Sequence, residues 1–137
     1  MAFESTSESG MRSVDTNVLV RVVVRDDADQ VEKAEDFIAK GAWVSHLVLA
    51  ETIWVLDAVY DRSAEQIAAA VAMLLEHNEL TLQDSDVIAA ALEHYRKRPA
   101  LGFSDCMVLA IARKAGHVPL GTFDRNLAKL PDTELIK

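Results

Sequence analysis

Four acidic residues spread along the chain are the side chains best suited to do chemistry. They are Asp15, Glu51, Asp105 and Asp124, and each lies beside or within an apolar segment. If folding brought them into one cleft, their charges would repel each other and they could not all stay ionised unaided. A divalent cation resolves that conflict. Because the set offers only carboxylate oxygens, the expected ion is hard, Mg²⁺ or Mn²⁺ in its place.

Each acid also has an ordinary structural interpretation. Asp15 could simply cap the helix that follows it, and the helix dipole could stabilise Asp105 in the first turn of its own helix. Asp124 could be a turn or helix-cap aspartate. Glu51 falls on a helix face predicted to be buried, where the possible outcomes are a salt bridge, a raised pKa or a metal.

The elements that must position these acids can be predicted from the pattern of apolar residues. Residues 14–23 predict a short buried strand that ends on Asp15 and turns into a helix, and such strand ends are where open α/β sheets collect ligands. Further strands are predicted at 42–45, 80–82, 117–120 and 133–136, and helices at 18–24, 28–40, 46–60, 63–75, 85–97 and 103–112. Strands alternating with helices predict an α/β fold, a three-layer sandwich with a central, mainly parallel sheet flanked by helices.

Two of these helices carry acids of the predicted set. In the helix over 46–60, helical spacing predicts that one apolar face turns to the core and that Glu51 lies on it. The residues of that face are Leu47, Ala50, Trp54, Val55 and Ala58. In the helix over 103–112, Ser104 is the predicted cap, and the almost wholly apolar sequence indicates burial. Asp84 is the predicted cap of the helix over 85–97.

Length and composition indicate a soluble protein with one domain. The chain has 137 residues, of which 50% are apolar and 26% are charged, the profile of an ordinary globular domain. Residues 1–10 are polar and are predicted to be a disordered extension or a remnant of cloning, which leaves 11–137 as the single domain. The lone Cys106 cannot form an internal disulfide and is predicted to be a small core residue, which fits a reducing cytoplasm.

The net charge of −8 argues by itself against a nucleic-acid binder, whose usual footprint is basic. That objection weakens if bound cations cancel several of the carboxylates. The basic residues form three small groups, Arg21 with Arg25, Arg96-Lys97-Arg98, and Arg113-Lys114, which could also be solvated helix ends. The four histidines match no zinc or triad pattern, and no Gly-rich phosphate loop is present.

Taken in order, the segments around the acids resemble the four acidic motifs of PIN-domain nucleases. The segments are Val14-Asp15-Thr16-Asn17, Leu49-Ala50-Glu51, Phe103-Ser104-Asp105-Cys106 and Thr122-Phe123-Asp124. The match runs from Met11 almost to the C terminus, and the compact size without an added domain is similar to the VapC-type toxins of bacterial toxin-antitoxin pairs.

This resemblance implies a Mg²⁺-dependent endonuclease that cleaves RNA. Asp15, Glu51, Asp105 and Asp124 would then be the metal-binding and catalytic residues, with Asn17 and Thr122 as polar support. The resemblance also implies a homodimer and a cognate antitoxin that covers the cleft, and no membrane. The acidic net charge leaves the path of the RNA unexplained.

Two alternatives from another class stay open. The chain could be a signalling or interaction module that binds Mg²⁺ without cutting anything, such as a phospho-acceptor receiver domain with Asp15 and Asp57 in its pocket. That reading is weakened because Asp57 is predicted to lie within a helix rather than at a strand end. The chain could also be a nuclease relative that serves only as a binding partner in a regulatory complex.

Overall fold

The structure is a computed structural model that describes residues 10–137, so all but the last residue of the predicted N-terminal extension lies outside the described range. The strands are β1 (Arg12–Ser13), β2 (Ala42–Val44), β3 (Leu80–Leu82), β4 (Leu120–Thr122) and β5 (Thr133–Leu135). The helices are α1 (Thr16–Val24), α2 (Ala28–Ile38), α3 (His46–Ala58), α4 (Ala64–Glu76), α5 (Ser85–Lys97) and α6 (Phe103–Ala115). Short 3-10 turns lie at Pro99–Leu101 and Leu127–Lys129.

All strand pairs in this range are parallel, which confirms the predicted α/β fold with helices flanking a parallel sheet. Strands β1, β2 and β3 pair in that order, and β4 pairs with β5 as a second, two-stranded sheet. Parallel strands present their carboxyl ends at one edge, so the segments that follow β1, β2 and β3 emerge side by side. β4 begins three residues later than the prediction of 117–120, at Leu120, because Pro119 has no N–H to donate to a sheet.

One hydrophobic core joins the helices to the sheets. Thr52 is the single buried polar residue in the described range, and its hydroxyl donates a hydrogen bond to the Val48 carbonyl at 2.7 Å. Cys106 is fully buried, and burial raises the pKa of its thiol to about 11, which confirms the prediction of an unreactive core residue. None of the helices at 10–137 combines the length and apolar character needed to cross a membrane.

The predicted core face of α3 is wrong. Leu47 and Trp54 are 69% and 65% exposed, and the helix instead buries Leu49, Thr52, Ile53 and Leu56. Apolar residues surround α3 on nearly every side, so helical spacing alone could not identify the face that packs on the core. Glu51 consequently lies on the exposed side of the helix.

The predicted cap of α6 is also wrong. The helix begins at Phe103, one residue before Ser104, and Gly102 occupies the cap position with φ +81°, a conformation that favours glycine. Phe103 is buried against Tyr95, with the two rings edge to face at 5.7 Å, and this packing fixes where the helix starts. Asp84 occupies the cap position of α5, but its side chain makes no capping hydrogen bond.

Arg113 ties the end of the chain to the helices. Its guanidinium reaches Asp132 at 3.0 Å and the Pro131 carbonyl at 2.7 Å, and it lies 2.8 Å from Nε2 of His94 on α5. These contacts hold the residues just before β5 against α5 and α6. Because β5 pairs with β4, the same contacts help to fix the strand that leads to Asp124.

Substitution of Ser63, the cap of α4, and of Ser104, which lies inside α6, should affect the free energy of unfolding differently. In α4 the Ser63 hydroxyl accepts from the Gln66 N–H, and the Gln66 side chain accepts from the Ser63 N–H, a complete capping box. We expect Ser63→Ala to lower the free energy of unfolding by about 1 kcal/mol. Ser104→Ala should change it by less than about 0.5 kcal/mol. Equilibrium denaturation in urea measures the free energy of unfolding of both variants. Equal decreases in the two would show that the capping box of Ser63 does not stabilise the protein.

Candidate active site

Asp15 is the cap of α1. Its Oδ1 accepts a hydrogen bond from the Val18 N–H at 3.1 Å, and the residue lies two positions beyond the end of β1. The prediction that Asp15 caps the following helix is therefore confirmed. The second carboxylate oxygen makes no hydrogen bond within the described residues and lies at the surface, so the cap leaves a ligand position available.

Glu51 joins this first acid through the neighbouring threonine. The Thr16 hydroxyl donates to Glu51 Oε1 at 2.8 Å, which links the first turn of α1 to the second turn of α3. Sequence reasoning singled out Asn17 as the polar support here and missed Thr16. The available signal was position: Thr16 directly follows the capping acid, whereas Asn17 is exposed and makes no side-chain hydrogen bond among residues 10–137.

Asp105 lies half-buried in the first turn of α6. Burial raises the pKa of this carboxyl above its usual value, and the negative charge of Asp124 raises it further. A helix N-terminus favours the ionised form, yet burial and the second acid outweigh it. The charge of Asp124 thus acts on Asp105 although 18 residues separate them in the chain.

Asp124 is held by a compact turn after β4. Its N–H donates to the Thr122 hydroxyl at 2.9 Å, and its Oδ1 accepts from the N–H groups of Asn126 at 2.8 Å and Leu127 at 3.3 Å. The predicted turn aspartate is therefore observed as well. Thr122 acts on the acid through the backbone, by fixing the peptide that carries it.

The structure relates the four acids in two pairs. Thr16, which follows Asp15, donates a hydrogen bond to Glu51, the charge of Asp124 acts on Asp105, and α3 packs against both α1 and α6. No group of three or more Asp, Glu, His or Cys side chains that could hold one ion is present in the part of the chain that the structure describes. Asn17 belongs to neither pair.

The chemistry of the donors fits a hard divalent cation. The set contains carboxylate and hydroxyl oxygens only, which are ligands of the kind that Mg²⁺ and Mn²⁺ accept. Asp15, Glu51 and Asp124 each use one carboxylate oxygen in a hydrogen bond and leave the other without one among residues 10–137. The repulsion that raises the pKa of Asp105 is of the kind that a cation relieves.

Comparison with known protein families identifies the family of the chain. The sequence model of the PIN domain family matches residues 13–132, which is most of the chain. The protein therefore belongs to the PIN domain family. PIN domains are generally nucleases, hence hydrolases, and they generally use divalent metals such as Mg²⁺. No significant match was found among curated proteins or among solved structures.

If Asp105 is a metal ligand, its charge should destabilise the protein alone and stabilise it with a cation. In EDTA we expect Asp105→Asn to raise Tm, because the variant loses a carboxylate whose ionised form burial and Asp124 disfavour. Added Mg²⁺ should raise the Tm of the wild type and have little effect on the variant.

The matched control is Asp36→Asn, which removes an exposed charge on α2 whose side chain forms no ion pair or hydrogen bond in the described range. Its Tm should follow that of the wild type both in EDTA and in Mg²⁺. Differential scanning fluorimetry is sufficient. An equal rise in Tm on addition of Mg²⁺ to the wild type and to Asp105→Asn would show that Asp105 is not a metal ligand.

Proposed function

We propose that this PIN domain is a Mg²⁺-dependent endoribonuclease that cleaves RNA phosphodiester bonds as the toxin of a toxin-antitoxin pair. The observation that carries the proposal is the position of the half-buried Asp105 in the first turn of α6, where burial and the charge of Asp124 disfavour its ionised form. Perturbed carboxylates of this kind are typical of functional sites. Membership of the PIN family supports nuclease chemistry on nucleic acid.

The four carboxylates would hold the cation. Asp15, Glu51, Asp105 and Asp124 are its ligands in this proposal, while Thr16 and Thr122 orient two of them through the hydrogen bonds at 2.8 and 2.9 Å. A bound divalent cation supplies an activated water and neutralises charge that develops on phosphate oxygens.

The chain itself needs no nucleophile for this reaction. Cys106, the single cysteine of the chain, is fully buried and its thiol has a raised pKa, so it cannot serve as a nucleophile. In this proposal the protein groups instead fix the carboxylates through the hydrogen bonds to Asp15, Glu51 and Asp124, and the phosphodiester approaches the ion that they hold.

The toxin role, the homodimer and the antitoxin come from the resemblance to VapC-type proteins and belong to this proposal. The structure offers nothing that favours the receiver-type alternative: Asp57 lies within α3 and not at the end of a strand.

Loss of an acid from either pair should abolish RNA cleavage. We expect Asp15→Asn and Asp105→Asn to reduce Mg²⁺-dependent cleavage of total RNA by at least about 100-fold, because each removes a charged ligand. Asn can still accept the hydrogen bond that caps α1, so Asp15→Asn should keep the fold. Cleavage with and without EDTA, followed by gel electrophoresis, is the measurement. Asp36→Asn serves as the active control, and unchanged cleavage in either site variant would count against the site.

The toxin role predicts a phenotype in cells. Induced expression of the wild-type chain should arrest the growth of a bacterial host, whereas Asp105→Asn at the same expression level should not. A small protein encoded beside the gene should bind the chain and restore growth when both are expressed. Growth that continues while the purified chain still cleaves RNA would contradict the toxin role and leave the nuclease intact.

A further inference from the structure

A cleft is lined by residues of the two helices that carry Glu51 and Asp105. It lies between the second half of α3, the turn that follows and the segment entering α6, and it has a volume of about 400 Å³. Trp54, Arg62 and Ser104 are among its lining residues. Trp54 follows Glu51 by one helical turn, and Ser104 directly precedes Asp105, so two lining residues are near neighbours in the chain of two acids of the candidate site.

Trp54 provides this cleft with an exposed aromatic wall. The side chain is 65% exposed although it is the largest apolar residue of α3. The helix packs on the core through its other face and does not need Trp54 for the fold. An exposed indole at the edge of a concave site is suited to stacking against a planar ring such as a nucleobase.

Most of the basic clusters in the chain are neutralised by carboxylates. Arg21 pairs with Asp26 at 2.6 Å and Arg25 with Glu35 at 2.9 Å. The last cluster is neutralised in the same way, since Arg113 pairs with Asp132 at 3.0 Å and Lys114 with Asp86 at 3.0 Å. These cations are already committed to the fold.

The cations near the cleft are different. Within residues 10–137 no carboxylate lies at ion-pair distance from Arg62, Arg96 or Arg98. Arg96 lines a second groove, of about 220 Å³, that shares Ala64, Tyr95 and Pro99 with the cleft. The cleft and the groove therefore lie side by side between the start of α6 and the end of α5, and together they are called the depression below.

We propose that this depression is the path of the RNA strand, with one base stacked on Trp54 and successive phosphates held by Arg62 and Arg96. The inference rests on the proposed nuclease function and deepens it by naming the residues that hold the substrate. It also gives an acidic protein a place to hold a polyanion, because Arg62 and Arg96 line the depression and form no ion pair in the described range.

The charges of the depression favour a nucleic acid strand over a second copy of the chain. Arginines without carboxylate partners match phosphates, and an unpaired strand can present both a base to Trp54 and phosphates to the arginines. Asp57 and Glu65, which line the cleft and the groove, can accept hydrogen bonds from base amino groups. A protein dimer interface tends instead to be depleted of charge at its centre.

The test measures RNA binding apart from cleavage. The chain with Asp105→Asn is titrated in Mg²⁺ into a fluorescein-labelled, single-stranded oligoribonucleotide of about 12 nucleotides, a length within the usual range of single-strand sites. Adding Trp54→Ala should weaken binding about fivefold or more, the lower end of the effect of losing one base stack. Adding Arg62→Gln or Arg96→Gln should each lower the slope of log K against log salt by about 0.7, the value for one phosphate contact on a single strand.

Two control variants match these changes. Val59→Ala removes an exposed apolar side chain just beyond α3 and outside the cleft, and Arg25→Gln removes an arginine that is paired with Glu35. Both should bind the oligonucleotide like the parent chain. Thermal melts of all variants, and titrations of the wild type in EDTA, show that any loss of binding is not caused by unfolding or by the Asp105 change.

The outcomes separate this inference from the proposed function. Unchanged affinity and salt slope in the Trp54, Arg62 and Arg96 variants would overturn the path even if the wild type cuts RNA. Loss of a dimer in Trp54→Ala with unchanged RNA affinity would overturn it too, since Trp54 would then belong to an interface between copies. Weakened binding as predicted, in a protein that cuts no RNA with any metal, would support the path and refute the nuclease.

Discussion

The cost of keeping the half-buried Asp105 ionised is the constraint on which the candidate site depends. Burial raises the pKa of this carboxyl at the start of α6, and the negative charge of Asp124 after β4 raises it further. Each of the other acids is fixed by a hydrogen bond from a backbone N–H or a threonine hydroxyl. The fold therefore holds the charges in place rather than letting them turn apart, an arrangement that a shared cation would stabilise.

Local sequence patterns predicted the elements well, and they failed where packing decides. The parallel strands and the capping box of Ser63 follow from short-range signals, and so does the end of α6 at Gly116. The buried face of α3 did not, because a helix that is apolar all round carries no periodic signal. The start of α6 at Phe103 is set by contact with Tyr95, and no pattern within the segment reports that contact.

The sequence predicts the four acids of the candidate site, and the structure adds contacts that the sequence could not show. The α/β topology was enough to place Asp15 and Asp124 after the carboxyl ends of β1 and β4. The hydrogen bond from Thr16 to Glu51 spans 35 residues, so only the packing of α1 on α3 could reveal it. The sequence shows three basic clusters, but it does not show which of their cations form ion pairs. Only the fold distinguishes the paired cations from those near the cleft that have no carboxylate partner in the described range.

The most direct test of the account is to locate a cation. Crystals of the protein grown with Mn²⁺ should show, by anomalous diffraction, an ion bound by carboxylates of both pairs, Asp15 with Glu51 and Asp105 with Asp124. Asp105→Asn crystals grown in the same way should show a weakened or absent peak there. An ion bound elsewhere, or the four carboxylates found too far apart to share one in the presence of saturating Mn²⁺, would contradict the claim that a cation makes their proximity tolerable.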